Sequence, residues 1–143
     1  MKRLLVVLFG VAILVDVAVV RAQTDEEVEA HKQVLDLTGA FSNEGFKLRD
    51  GYWAGMVKPA ERTLIAVNLY AGNQYWFSAA ANAKAKKIAV DVYDENGRPM
   101  VTETYNADGK AAAGFSPVNS GQYFVSLGVE GEATTFCLVY SYK

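Results

Sequence analysis

Short runs of alternating hydrophobic and polar residues fill the chain from Gly51 onward. In one such run, Ile88, Val90 and Val92 would face a core while the residues between them face water. The runs predict about eight strands, at residues 52–57, 63–70, 74–81, 87–93, 99–105, 111–115, 122–129 and 134–142. Turn-forming residues separate the runs, as in the sequence DENG at 94–97, and no helical spacing intervenes. Residues 51–143 are therefore predicted to form an antiparallel β-sandwich or jelly roll.

A helical segment is predicted ahead of the sandwich, at residues 23–50. Thr24 and Glu27 form a capping box at its start, and Gly39 predicts its end. Four residues share one face of the helix, with Val34 and Leu37 beside it: Val28, His31, Leu35 and Thr38.

Two interpretations of this segment are open. The face that carries Val28 and Leu35 could pack on the sandwich, or the segment could be a tether that presents the domain away from a membrane. Phe41, Phe46 and Leu48 favour docking, because large apolar side chains gain free energy when they are buried.

The first 22 residues have the pattern of a secretory signal peptide. Lys2 and Arg3 precede an apolar stretch over residues 4–20, and the sequence VRA at 20–22 suits signal peptidase, which would leave Gln23 as the new N-terminus. The alternative is an uncleaved membrane anchor. Asp16 and the shortness of the stretch favour cleavage. The sequence therefore predicts an exported protein, periplasmic or extracellular, with no membrane span after cleavage.

Composition limits the partners of the chain. Its 143 residues carry a net charge of −2, and cleavage would remove three basic residues and one acidic one. An acidic chain of this kind argues against nucleic acid or anionic lipid as the main partner. Cys137 is the only cysteine, so no intramolecular disulfide can form. We interpret it as a buried, inert thiol because no basic neighbour lies beside it in sequence.

Candidate chemistry is sparse. A single histidine, His31, leaves a Ser–His–Asp triad or a zinc site without support, and no catalytic residue is predicted. Oxygen ligands for calcium gather around one hairpin at Asp91, Asp94 and Asn96. The alternative is that Asp94 and Asn96 serve the geometry of the turn. No other cofactor is predicted.

Aromatic residues give the most suggestive functional feature. Trp53, Trp76 and Tyr93 could form an exposed platform for a ligand, as stacked aromatic faces do in sugar-binding β-sandwiches. Core packing or contact with the helix is the alternative role for each of them. Strand alternation puts Tyr75 and Trp76 on opposite faces, so one of the two points outward unless the helical segment covers that face.

Three motifs resemble a known family. They are LYAGNQYWF at 69–77, VYDENG at 92–97 and FSPVNSGQYFV at 115–125. Together they resemble bacterial pre-peptidase C-terminal domains, over about residues 55–142. The resemblance implies a β-sandwich module of the kind appended to secreted peptidases and other exported proteins. Where many members carry an acidic pair, this chain has Lys87 and Ala89, which weighs against a calcium role carried over from relatives.

Two classes of function follow. The leading prediction is an exported, non-catalytic binding module whose ligand is a protein, an envelope component or a glycan. The alternative is a small hydrolase that uses carboxylates alone on an extracellular or cell-wall polymer, which requires two acids facing each other across a cleft.

Overall fold

The computed structural model describes residues 24–82 and 87–143. The predicted signal peptide lies outside these residues. One helix precedes nine strands in the order α1 (Asp25–Ser42), β1 (Lys47–Leu48), β2 (Trp53–Val57), β3 (Arg62–Leu69), β4 (Tyr75–Ala81), β5 (Lys87–Asp94), β6 (Glu103–Ala107), β7 (Lys110–Phe115), β8 (Gly121–Glu130) and β9 (Thr134–Tyr142). No helix within the described ranges is long and apolar enough to cross a membrane.

The strands form two antiparallel sheets, which confirms the predicted β-sandwich. The six-stranded sheet has the order β1-β9-β4-β7-β6, with β2 also pairing with β9, and the three-stranded sheet has the order β3-β8-β5. Strand β6 begins at Glu103, four residues later than predicted. Pro99 has no N–H to donate, and it forms only an isolated bridge with Tyr93.

The core lies between the two sheets and follows the predicted alternation. Phe77 and Leu138 of the six-stranded sheet face Ile88, Val125 and Leu127 of the three-stranded sheet, and all five are almost completely buried. The alternate residues on each strand point away from this core. These alternate residues form the two outer faces of the sandwich.

Helix α1 covers the outer face of the six-stranded sheet. Thr24 caps it, because the Thr24 side chain accepts a hydrogen bond from the Glu27 N–H, as the capping box predicted. The helix docks, but the predicted face was wrong: Val28 and Leu35 are 51% and 40% exposed. Thr38 is the only residue of the predicted face that is buried. The other buried residues of the helix lie one step around it, at Ala30, Val34, Leu37 and Phe41.

The end of the helix also differs from the prediction. Gly39 lies inside α1 with ordinary helical geometry, and the helix continues to Ser42. This extra turn carries Phe41 onto the sheet, where Phe41 and Phe46 are buried while Leu48 is 45% exposed.

An aromatic stack joins the helix to the sheet. The rings of Phe41 and Trp76 lie parallel with their centroids 4.4 Å apart. On the other side of the indole is Gly114, where a Cβ atom would lie only 2.9 Å from Trp76 Cζ2. Trp76 is therefore held between the helix and a glycine that leaves room for its ring.

Ser78 and Cys137 both lie on this helix-covered face. Ser78 is completely buried, and its hydroxyl has no hydrogen-bond partner among the described residues. Cys137 is also completely buried, in a cluster with Ala30, Val34 and Val139. Burial raises the pKa of the Cys137 thiol to about 12, and the negative charge of Glu27 contributes to the same shift. The thiol stays protonated at neutral pH, as expected for an inert cysteine.

Candidate binding site

Strand pairing gathers several strand ends at one end of the sandwich. Leu69 at the end of β3 pairs with Gly121 at the start of β8. Tyr75, the first residue of β4, pairs with Phe115 on one side and Tyr142 on the other. The turns at 70–74 and 116–120 therefore lie together, and a hydrogen bond of 2.8 Å from the Ala71 N–H to Ser120 Oγ joins them. We call this part of the molecule the loop end.

A recess of about 280 Å³ opens at the loop end. Residues from the β1–β2 connection, from β3, β4 and β9, and from the β3–β4 turn contribute to its wall. They are four tyrosines, two asparagines and one arginine, which together define the tyrosine recess: Arg49, Asn68, Tyr70, Asn73, Tyr75, Tyr140 and Tyr142.

The wall of the tyrosine recess has a fixed part and an exposed part. The buried Tyr75 hydroxyl accepts hydrogen bonds from the Tyr70 N–H at 2.9 Å and from Asn73 Nδ2 at 3.1 Å. The Tyr70 side chain is 63% exposed and that of Tyr142 is 36% exposed. The Tyr70 and Tyr142 hydroxyls and the Asn68 amide make no hydrogen bond to other described side chains or backbone. These groups can both donate and accept hydrogen bonds.

Arg49 lies at the edge of the recess on an aromatic base. Its N–H donates to the Tyr140 carbonyl at 2.9 Å. Its guanidinium lies 5.0 Å from the centre of the Tyr140 ring and 5.5 Å from the Trp53 ring, distances at which a cation is attracted to an aromatic face. Burial raises the pKa of the Tyr140 hydroxyl, although the charge of Arg49 opposes this shift.

No carboxylate in the described part of the chain pairs with Arg49. Across residues 24–82 and 87–143 the ion pairs are Arg62 with Asp91 and Lys87 with Glu130. The Arg49 guanidinium therefore carries its charge against aromatic rings and not against an acid. Its hydrogen-bond donors are left to water or to a ligand.

The outer face of the three-stranded sheet is different, because no helix within residues 24–82 and 87–143 covers it. Arg62 lies across β8, where its side chain donates to the buried Ser126 hydroxyl and pairs with Asp91 on β5. The guanidinium lies over Gly128, where an added Cβ atom would be in contact with it at 3.4 Å. Beside Arg62, a shallow apolar depression of about 560 Å³ includes Leu64, Tyr93 and Phe124.

No family model matches the chain, and the comparison with curated proteins found no match. The resemblance to pre-peptidase C-terminal domains therefore stays a prediction, and the candidate site is argued from its own geometry.

The structure gives the predicted calcium ligands other partners. Asp91 pairs with Arg62 on the outer face. Asp94 Oδ1 accepts hydrogen bonds from the N–H groups of Asn96 and Arg98, both at 2.9 Å, and so closes the turn of the hairpin. In the part of the chain that the structure describes, no three histidine, cysteine or acidic residues lie together as a metal site. Calcium binding stays a prediction.

The three predicted platform residues do not share a surface. Trp76 stacks under Phe41 on the helix-covered face, whereas Tyr93 borders the depression on the three-stranded sheet. Trp53 packs against the core and lies parallel to Tyr140, with ring centroids 6.0 Å apart. Only Trp53 is close to the tyrosine recess, and it serves there as the base for Arg49.

Proposed function

We propose that this protein is an exported, non-catalytic binding module that holds a saccharide in the tyrosine recess. The observation that supports this proposal is the combination in one recess of exposed tyrosine rings with amide and hydroxyl groups that have no hydrogen-bond partner among the described residues. Of the three ligand classes that the sequence leaves open, this combination favours the glycan.

The chemistry of a sugar suits such a wall. One face of a pyranose ring consists of C–H groups, which pack against an aromatic ring with little cost in desolvation. Its hydroxyl groups both donate and accept hydrogen bonds, and buried hydroxyls need partners for both. Tyr70 and Tyr142 offer rings and hydroxyls, while Asn68 offers an amide that supplies a donor and an acceptor.

The recess is also prepared before a ligand arrives. Tyr75 is fixed by its two hydrogen bonds, and Tyr140 is anchored in the core of the sandwich. Paired strands supply most of the wall, so little main-chain ordering is required on binding. A concave site with an apolar base and a few polar groups is typical of small-ligand binding.

The test is a calorimetric titration of the purified protein with a panel of neutral and acidic oligosaccharides. We expect at least one to bind, and Tyr70→Ala or Tyr142→Ala to weaken that binding by about threefold to tenfold, the range for one aromatic contact. Tyr105→Ala is the matched control, since Tyr105 lies on β6 outside the recess and its exposure of 44% falls between those of Tyr70 and Tyr142. Failure of every oligosaccharide to bind, or equal binding by all three variants, would overturn the proposal.

A further inference from the structure

We infer that the saccharide held in the tyrosine recess is an acidic one, and that its carboxylate pairs with Arg49. This inference rests on the proposed function and names the chemical class of the ligand. The supporting observation is that Arg49 lies beside the tyrosine recess, held over two aromatic rings, and has no acidic partner among the described residues.

A comparison with Arg62 shows what is unusual about Arg49. Arg62 is satisfied within the protein, since it pairs with Asp91 and donates to Ser126. Arg49 has neither kind of partner among residues 24–82 and 87–143, yet its side chain is placed over the Trp53 and Tyr140 rings. A surface arginine that makes no interaction extends into water, because ordering a long side chain costs conformational entropy.

The position of the guanidinium suits a carboxylate ligand. A guanidinium that rests on an aromatic face keeps its N–H donors along its edge, where they match the two oxygens of a carboxylate. The aromatic base excludes water from one side of the cation, which strengthens its attraction to an anion. The Tyr140 carbonyl holds the main chain of Arg49 in place, so the cation has a defined position beside the recess.

A sugar acid can use both parts of the site at once. In a hexuronic acid the carboxylate is attached directly to the pyranose ring, so a ring against Tyr70 or Tyr142 can place its acid beside Arg49. One arginine supplies one charge contact, and the chain as a whole is acidic. A short acidic saccharide, or a single residue of a longer one, therefore fits the site better than a dense polyanion.

The experiment compares trigalacturonate with its methyl ester, which keeps the sugar rings and removes the charges. Calorimetry on the purified protein is expected to show about tenfold tighter binding of the acid, the gain typical of a charge-assisted hydrogen-bonded pair. Arg49→Gln should abolish this preference, so that acid and ester bind alike, whereas Arg49→Lys should retain part of it. Arg98→Gln is the matched control, because it removes an exposed arginine of the β5–β6 turn.

Each outcome has a defined meaning. Equal affinity for the acid and the ester would overturn the acidic preference while leaving saccharide binding intact, and so would a preference that survives in Arg49→Gln. Absence of binding by both compounds would also overturn it; the wider oligosaccharide panel then decides separately whether the proposed function fails as well.

Discussion

Each of the two tryptophans of this protein follows a tyrosine in sequence, but the two have different roles in the structure. Trp76 lies on the helix-covered face, between Phe41 and Gly114. Trp53 lies near the loop end, where it stacks with Tyr140 and carries the guanidinium of Arg49. An apolar ring covers the first indole, and a cation covers the second. The two tryptophans therefore differ in what covers them, and only Trp53 lies beside the proposed binding site.

This difference has an energetic consequence. On the helix-covered face, apolar surface is removed from water by a helix that belongs to the same chain, so the gain appears as stability of the fold. At the loop end, Tyr70 is 63% exposed and Tyr142 is 36% exposed. Under the proposed function a saccharide would bury these rings, and the gain would appear as affinity.

Removal of the apolar cover should have the largest effect. Phe41→Ala deletes a buried ring that holds α1 against Trp76, and we expect it to lower the free energy of unfolding by about 3–5 kcal/mol. Urea denaturation followed by circular dichroism measures this. Tyr105→Ala should change stability by less than about 0.5 kcal/mol, because it alters only an exposed edge strand. A loss below 1 kcal/mol in Phe41→Ala would show that the helix is not held by this stack.

Two buried serines extend the comparison to the outer faces of the two sheets. Ser78 on the helix-covered face has no partner for its hydroxyl in the described structure, whereas Ser126 on the open face accepts a hydrogen bond from Arg62. Ser78→Ala should therefore raise the free energy of unfolding by about 1 kcal/mol, and Ser126→Ala should lower it by a similar amount. Thermal denaturation of the two variants measures both signs. A destabilised Ser78→Ala would mean that the hydroxyl has a partner, such as a water molecule, under the helix.

Removal of the cationic cover should have the smallest effect on stability. Arg49→Gln ends the contacts with Trp53 and Tyr140, and an exposed contact between a cation and a ring contributes only about 0.5–1 kcal/mol. We expect urea denaturation to show a loss in that range. A loss as large as that of Phe41→Ala would place Arg49 among the residues that hold the fold together, and the comparison between the two tryptophans would then fail.

The sandwich was predictable because strand alternation is a local property. The alternation of Ile88, Val90 and Val92 predicts one buried face within five residues of sequence, and the structure confirms this prediction. The helix was predictable as an element but not in its docked face. Val28 and Leu35 are as apolar as Val34 and Leu37, so periodicity alone could not rank two neighbouring stripes of the same helix. The docked face differs from its neighbour in carrying the small residue Ala30, which allows the helix to approach the sheet closely.

The tyrosine recess could not be predicted from spacing. Arg49, Tyr70 and Tyr142 are far apart in sequence, and only the pairing of β1 and β4 with β9 brings their strands together. No motif marks Arg49, because an arginine over an aromatic ring looks in sequence like any surface arginine. The aromatic platform was inferred from the residue types most often used for sugars. Two of its three members, Trp76 and Tyr93, lie on other surfaces.

The reactivity of the cysteine beneath α1 can report how often the helix separates from the sheet. Cys137 packs against Ala30 and Val34 of the helix, and its raised pKa keeps the thiol unreactive while the helix is in place. A thiol reagent can reach it only during excursions in which the helix lifts from the sheet or the whole domain opens. The rate of labelling, measured against that of the unfolded chain, thus reads the population of those openings without any engineered probe. If a saccharide at the loop end slows that rate, ligand binding there is coupled to opening of the helix.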